Sequence, residues 1–97
     1  MDSAASAGRA LAQQMTIVNR KGLHARASAR FVRTAECFDA EIKVVRDGQS
    51  VNGNSIMGLM MLGAANGDSI TIHVSGQAAE DALEKLVTLV EERFGED

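Results

Sequence analysis

The apolar residues of this 97-residue chain change their spacing several times, and that change of period restricts the fold more than any other feature. Ile70, Ile72 and Val74 alternate as in a half-buried strand, and Ile42 and Val44 do the same. Ala27, Phe31, Val32 and Ala35 recur at helical spacing, which predicts a helix from about Ala25 to Cys37. Ala79, Ala82, Leu83, Leu86, Val87, Val90 and Phe94 share one face of a second helix from about Gln77 to Phe94. Met15, Ile17 and Val18 suggest a first strand, Val51 sits in a short third strand, and a brief helix follows Ser55. Asp47-Gly48 is a hairpin signal between the second and third strands, and Asn66-Gly67 a turn before the fourth. The order β-α-β-β-α-β-α predicts an α+β fold, an antiparallel four-stranded sheet with helices on one face.

Composition narrows the function classes. Residues 1–13, rich in Ala, Ser and Gln, read as a loose extension ahead of a single domain over residues 14–97. One cysteine, Cys37, cannot close an internal disulfide, and with two histidines it offers no zinc spacing, so neither metal nor cofactor is expected. Cys37 reads as a small apolar filler at a helix end, and His73 as a strand residue facing away from the core. No apolar run reaches membrane-spanning length and the start lacks a secretory pattern, so the expected setting is the cytoplasm, without membrane insertion. A net charge of −3, 3% aromatic residues and no basic tract argue against nucleic acid.

The charge is unevenly spread. Residues 1–35 carry six basic groups against one acid, whereas residues 80–97 carry seven acids against two bases. Arg26, Arg30 and Arg33 fall along one side of the first helix, with Arg20 and Lys21 just before it; they form either a solvated face or a surface for an acidic partner.

Arg20 to Gly22 reads as a turn, which puts His24 at or near the N-cap of that helix. A first helical turn has N–H groups without intrahelical partners and the positive end of the helix dipole, so Ala25, Arg26 and Ala27 form a cradle for an anion. The same positive end disfavours an imidazolium and leaves a ring nitrogen free to attack phosphorus, while Arg26 neutralises phosphate oxygens. Spacing alone also fits a plain polar cap. Ser55 is similarly placed to cap the short helix. Met61 and Leu62 are expected in the core, but Ile56, Met57 and Met60 with them exceed what one face of a two-turn helix can bury. Exposed methionines adapt to differently shaped partners.

Residues Gly22 to Val32, GLHARASARFV, resemble the active-site segment of the HPr family of phosphocarriers, and residues Asn52 to Ala64, NGNSIMGLMMLGA, resemble the segment around that family's regulatory serine. The resemblance spans roughly residues 14–94. It implies an open-faced β-sandwich and a stoichiometric carrier, not an enzyme, that is phosphorylated on His24 by Enzyme I of the phosphoenolpyruvate phosphotransferase system and recharges IIA domains. It further implies Ser55 as the target of an HPr kinase/phosphorylase, a partner-docking surface of Ala29, Arg30, Ile56, Met57 and Met60, and a monomer. Whether the acceptors serve sugar transport or a nitrogen-related branch stays open. Ala27 departs from the proline usual in the family; alanine is a good helix former, so the helix start should survive with less pre-organisation. Two other classes share features with this reading, an acylphosphatase-like hydrolase with the same β-α-β-β-α-β order and a non-catalytic interaction domain.

Overall fold

A computed structural model describes residues 9–96. Four strands, β1 (Arg9–Thr16), β2 (Glu41–Arg46), β3 (Gln49–Asn52) and β4 (Ser69–Gly76), alternate with three helices, α1 (Ala25–Ala35), α2 (Ile56–Met61) and α3 (Ala79–Glu91), and a 3₁₀ turn, Arg93–Gly95, follows. The sheet order is β1-β4-β2-β3 and all three pairings are antiparallel. The four-stranded antiparallel sheet expected from the change of hydrophobic period is therefore present.

Alternation decides which face of the sheet is buried. Ile42 and Val44 of β2, Ile70, Ile72 and Val74 of β4 and Met15 of β1 point inward, against Phe31, Val32, Leu59, Leu86 and Val90 from the helices. Each fully buried apolar side chain of this size contributes roughly 1.5–3 kcal/mol relative to exposure. His73 points outward, as expected, with Lys43 directly opposite it on β2. Asp47 (φ 51) and Gly48 (φ 80) join β2 to β3 in the doubly positive conformation that a two-residue hairpin of this twist requires. Among the described residues no helix is long and apolar enough to cross a membrane.

Five details depart from the sequence expectations. Residues 9–13, assigned to a loose extension, belong to β1 and pair with Ile72–Gly76 of β4; their mixed composition hides the strand because only Leu11 and Met15 turn towards the core. The rest of that extension, residues 1–8, lies outside the described residues. Val18 lies beyond the strand and is half exposed. Met61 is exposed (69%), since Leu59 and Leu62, three positions apart, take the inward stripe of α2. Cys37 is exposed because α1 stops at Ala35; its thiol lies 3.4 Å from the Arg33 carbonyl, to which it donates. Phe94 is buried, but not as the last turn of α3. That helix ends at Glu91, and Arg93 (φ 59) and Phe94 (φ 55) adopt left-handed backbone that swings the ring into the core. The left-handed backbone costs about 1–2 kcal/mol per residue, and burying the ring returns about 1.5–3 kcal/mol.

Gly22 (φ 66) fixes where α1 begins. A Cβ there would overlap the Ala64 carbonyl oxygen, and the backbone N–H of Leu23 donates to that same oxygen at 2.9 Å. Gly22→Ala combines an unfavourable φ with a backbone clash, so it should lower unfolding stability by about 2 kcal/mol or more in urea titration.

Candidate functional site

His24 is the N-cap of α1. Its backbone is extended (φ −78, ψ −177), its carbonyl accepts the Ser28 N–H at 2.9 Å, and its side chain makes no capping bond. The histidine therefore starts the helix through its backbone while the imidazole remains available for something else. It is half-buried on the rim of an open cleft of about 670 Å³ lined by Arg20, Lys21, Ala25, Arg26, Arg30, Gly95 and Glu96. Four of those eight lining residues, His24 included in the count, are arginine or lysine, which makes the cleft attractive to anions.

The expected cradle residues Ala25, Arg26 and Ala27 are the first three of α1, so their N–H groups precede the first intrahelical partner. Ala27 is fully buried and helix formation survives at that position without proline. Arg26 is exposed at the cleft. Ser28 is also buried; its hydroxyl donates to the Leu23 carbonyl at 3.2 Å and ties the first turn to the preceding loop.

Glu96 is the residue that sequence reasoning missed. Its Oε2 lies 2.5 Å from His24 Nε2, and its Oε1 accepts from Asn19 Nδ2 at 3.2 Å. Seventy-two positions separate the pair, and no local spacing rule could have joined them. The sole signal was the excess of acid at one end of the chain and of base at the other. Burial raises the Glu96 carboxyl, but the hydrogen bonds from His24 and Asn19, the charge that His24 carries when its ring is protonated and that of Arg26 outweigh it, leaving the group below its ordinary value of 4.5. An ionised carboxylate only accepts, so Nε2–H is the donor.

Arg30, expected as a free cation for a partner, is half-buried, and its guanidinium donates to the Phe94 carbonyl at 2.6 Å. A helical side chain leans over the turn before its own Cα, which is where the C-terminal segment crosses. Ala29 beside it is half-buried, and Arg33 is exposed.

The second constellation sits next to the first because α1 and α2 pack together. Ser55 caps α2, its Oγ accepting the Gly58 N–H at 2.9 Å. Ile56 (40% exposed), Met57 (68%) and Met60 (39%) form an apolar patch on the surface, extended by Met61.

A carboxyl whose folded pKa is depressed stabilises the fold above its unfolded value, and that contribution disappears as pH falls through the folded value. Glu96→Gln should therefore be less stable than the parent near pH 7, and the gap in melting temperature should shrink as pH drops below 4.5.

A family model described as the PTS HPr component phosphorylation site matches residues 11–92. The phosphocarrier protein HPr of Cupriavidus necator is 42% identical over 86 residues, covering 89% of this chain and 97% of the relative. The phosphocarrier protein NPr of Shewanella violacea is 41% identical over 86 residues, covering 89% and 94%. The crystal structure of HPr from Thermoanaerobacter tengcongensis superposes with a TM-score of 0.86 at 41% identity, over 90% of this chain and 98% of that one. With the sheet, the helices and both sequence blocks in agreement, the chain belongs to the HPr family of phosphocarrier proteins of the phosphotransferase system.

Proposed function

We propose that His24 is the phosphoryl carrier of this protein, charged by phosphorylated Enzyme I and discharged to IIA domains, in the cytoplasm and as a monomer. The observation that carries this reading is an N-cap histidine whose side chain leaves the cap unused and faces a cleft lined by Arg20, Lys21, Arg26 and Arg30. In the charging step a ring nitrogen of His24 forms a bond to phosphorus as the bond from phosphorus to the donor breaks, its electron pair leaving with the donor. The phosphoryl oxygens then lie against Arg26 and the first-turn N–H groups of α1. A solvent-open cleft suits a carrier, because both donor and acceptor must reach the same atom.

Ile56, Met57 and Met60 form the apolar part of the docking surface, with the basic cleft beside it. A patch of flexible thioethers fits several partners in turn without a dedicated pocket for each. Ser55 is the regulatory site, half-buried at the edge of this patch and open to an HPr kinase/phosphorylase. A phosphate on its Oγ would stand at the cap of α2 and place about two negative charges beside the apolar patch, which should weaken docking more than it unfolds the helix. Both HPr and NPr proteins occur among the relatives, and the acceptors belong either to sugar transport or to a nitrogen-related regulatory branch.

Two measurements check this reading. Incubation with phosphoenolpyruvate and Enzyme I should add one phosphoryl mass that is lost in acid and kept in base, and His24→Ala should gain none; an adduct of the same acid lability on His24→Ala would overturn the assignment. Met57→Glu should raise the KM for Enzyme I about tenfold, the size expected for loss of one well-packed contact, with kcat held.

A further inference from the structure

We propose that Glu96 is a positioning residue for phosphoryl transfer: its carboxylate holds the proton on His24 Nε2, leaving the lone pair on Nδ1 to react, and Arg30 with buried Phe94 anchors the segment that carries it. This rests on the reading of His24 as the phosphoryl acceptor.

The tautomer follows from inventory. An uncharged imidazole has one N–H, and the carboxylate 2.5 Å from Nε2 can only accept, so the N–H is on Nε2 and the lone pair on Nδ1. The anchoring is more elaborate than a chance surface pairing. The Phe94 ring is fully buried just before Glu96, the Arg30 guanidinium holds the Phe94 carbonyl at 2.6 Å, and Asn19, itself fully buried, donates to the second carboxylate oxygen at 3.2 Å. Asn19 is fixed in turn by donating to the Gly22 carbonyl at 2.8 Å, within the turn that sets the start of α1. The Glu96 side chain is left 17% exposed and that of His24 27%. Ordering a segment costs conformational freedom, and here the Phe94 ring within the segment and Arg30, Asn19 and His24 from outside it oppose that loss to place one carboxylate.

Such a carboxylate serves both directions of transfer. As the Nδ1 lone pair bonds to phosphorus, the electron pair of the breaking bond leaves with the donor and the ring becomes a phosphorylated imidazolium, its Nε2–H facing Glu96. On discharge the phosphorus–Nδ1 bond breaks, its electron pair returns to Nδ1, and a neutral imidazole leaves with the Nε2 proton still in place. No proton has to move. Without the carboxylate, the phosphorylated ring gives up that proton more readily, and the leaving group becomes an imidazolate, a far poorer one. Carboxylates behind catalytic histidines orient the ring and stabilise its cationic form in the same way. The two arginines then divide the work, Arg26 facing the phosphoryl oxygens and Arg30 the segment behind the ring.

The test uses the full chain as the phosphoryl acceptor of Enzyme I, comparing the parent with Glu96→Ala, Glu96→Asp and Arg30→Met. Glu96→Ala should lower kcat for charging, and for discharge to a IIA domain, about 10- to 100-fold or more with KM changed less than twofold, the lower bound being the scale seen when a hydrogen-bond partner behind a metal-bound histidine is removed. Glu96→Asp should recover part of the loss, and Arg30→Met should fall between Glu96→Ala and the parent. Nitrogen-15 NMR of the unphosphorylated ring should show mainly the Nε2–H tautomer in the parent and both tautomers in Glu96→Ala. Parental kcat in Glu96→Ala, an unchanged tautomer ratio, or a change confined to KM would each overturn the proposal. These results are separable from failure of the carrier reading, which shows instead as an acid-labile adduct surviving His24→Ala. Should Arg30→Met fail to fold, the Glu96 variants decide the matter alone.

Discussion

The cleft depends on one close approach, that of the Gly22 backbone to Ala64. No side chain fits between them, and the Leu23 N–H closes the contact by donating to the Ala64 carbonyl. Around this point Asn19 donates to Gly22 and Asn66 donates to the carbonyl of Asn19. The loop before α1 is thereby tied to the loop before β4, and His24, two residues past Gly22, has little freedom left. A histidine on an unconstrained loop could reach many orientations; here the turn aims the ring at the cleft before any partner arrives.

Two short stretches carry most of what the sequence reveals about this site. His24, the first-turn residues and Ser55 are legible because capping and turn chemistry are local: a few neighbouring residues decide the backbone, and the backbone decides where the helix starts. The strands are legible for the same reason, since Ile42 and Val44, or Ile70, Ile72 and Val74, declare their inward face by alternation alone. The misreadings occur where another part of the chain decides. β1 escapes notice from Arg9 to Gln13 because that edge strand gains its place from β4 and not from its own pattern. Met61 looks like core until the register of α2 assigns the inward stripe to Leu59 and Leu62. Glu96 is invisible to local reasoning because the fold, and nothing in its neighbourhood, sets it against His24.

The charge asymmetry looks different once the chain is folded. Read along the sequence, a basic first third and an acidic last fifth suggest an acidic partner. In space, part of that asymmetry is satisfied within the molecule: Arg9 meets Glu80 at 2.7 Å, Glu96 meets His24, and Arg30 turns to the carbonyl of Phe94. The exposed Arg9–Glu80 pair is worth little. The contacts made by Glu96 and Arg30 are more sheltered and sit on the cleft itself.

That distribution leaves Arg20, Lys21 and Arg26 as the cleft cations whose side chains make neither an ion pair nor a hydrogen bond to another of the described residues, whereas Arg30 is held by the Phe94 carbonyl. It also separates two demands that a carrier must meet at one atom. On the proposed reading of His24, the phosphoryl group has to be held well enough to survive between partners, which first-turn N–H groups and Arg26 would favour, yet it must leave as readily as it came. Strengthening the anion cradle alone would trap the group. A carboxylate on the far side of the ring acts differently, because it favours the cationic ring that both forms and breaks the phosphorus–nitrogen bond without gripping the phosphate. The Phe94 anchor, with its left-handed backbone and buried ring, makes physical sense in those terms: its strain and its burial nearly offset each other, and what remains is a carboxylate placed behind the histidine at little net cost in stability.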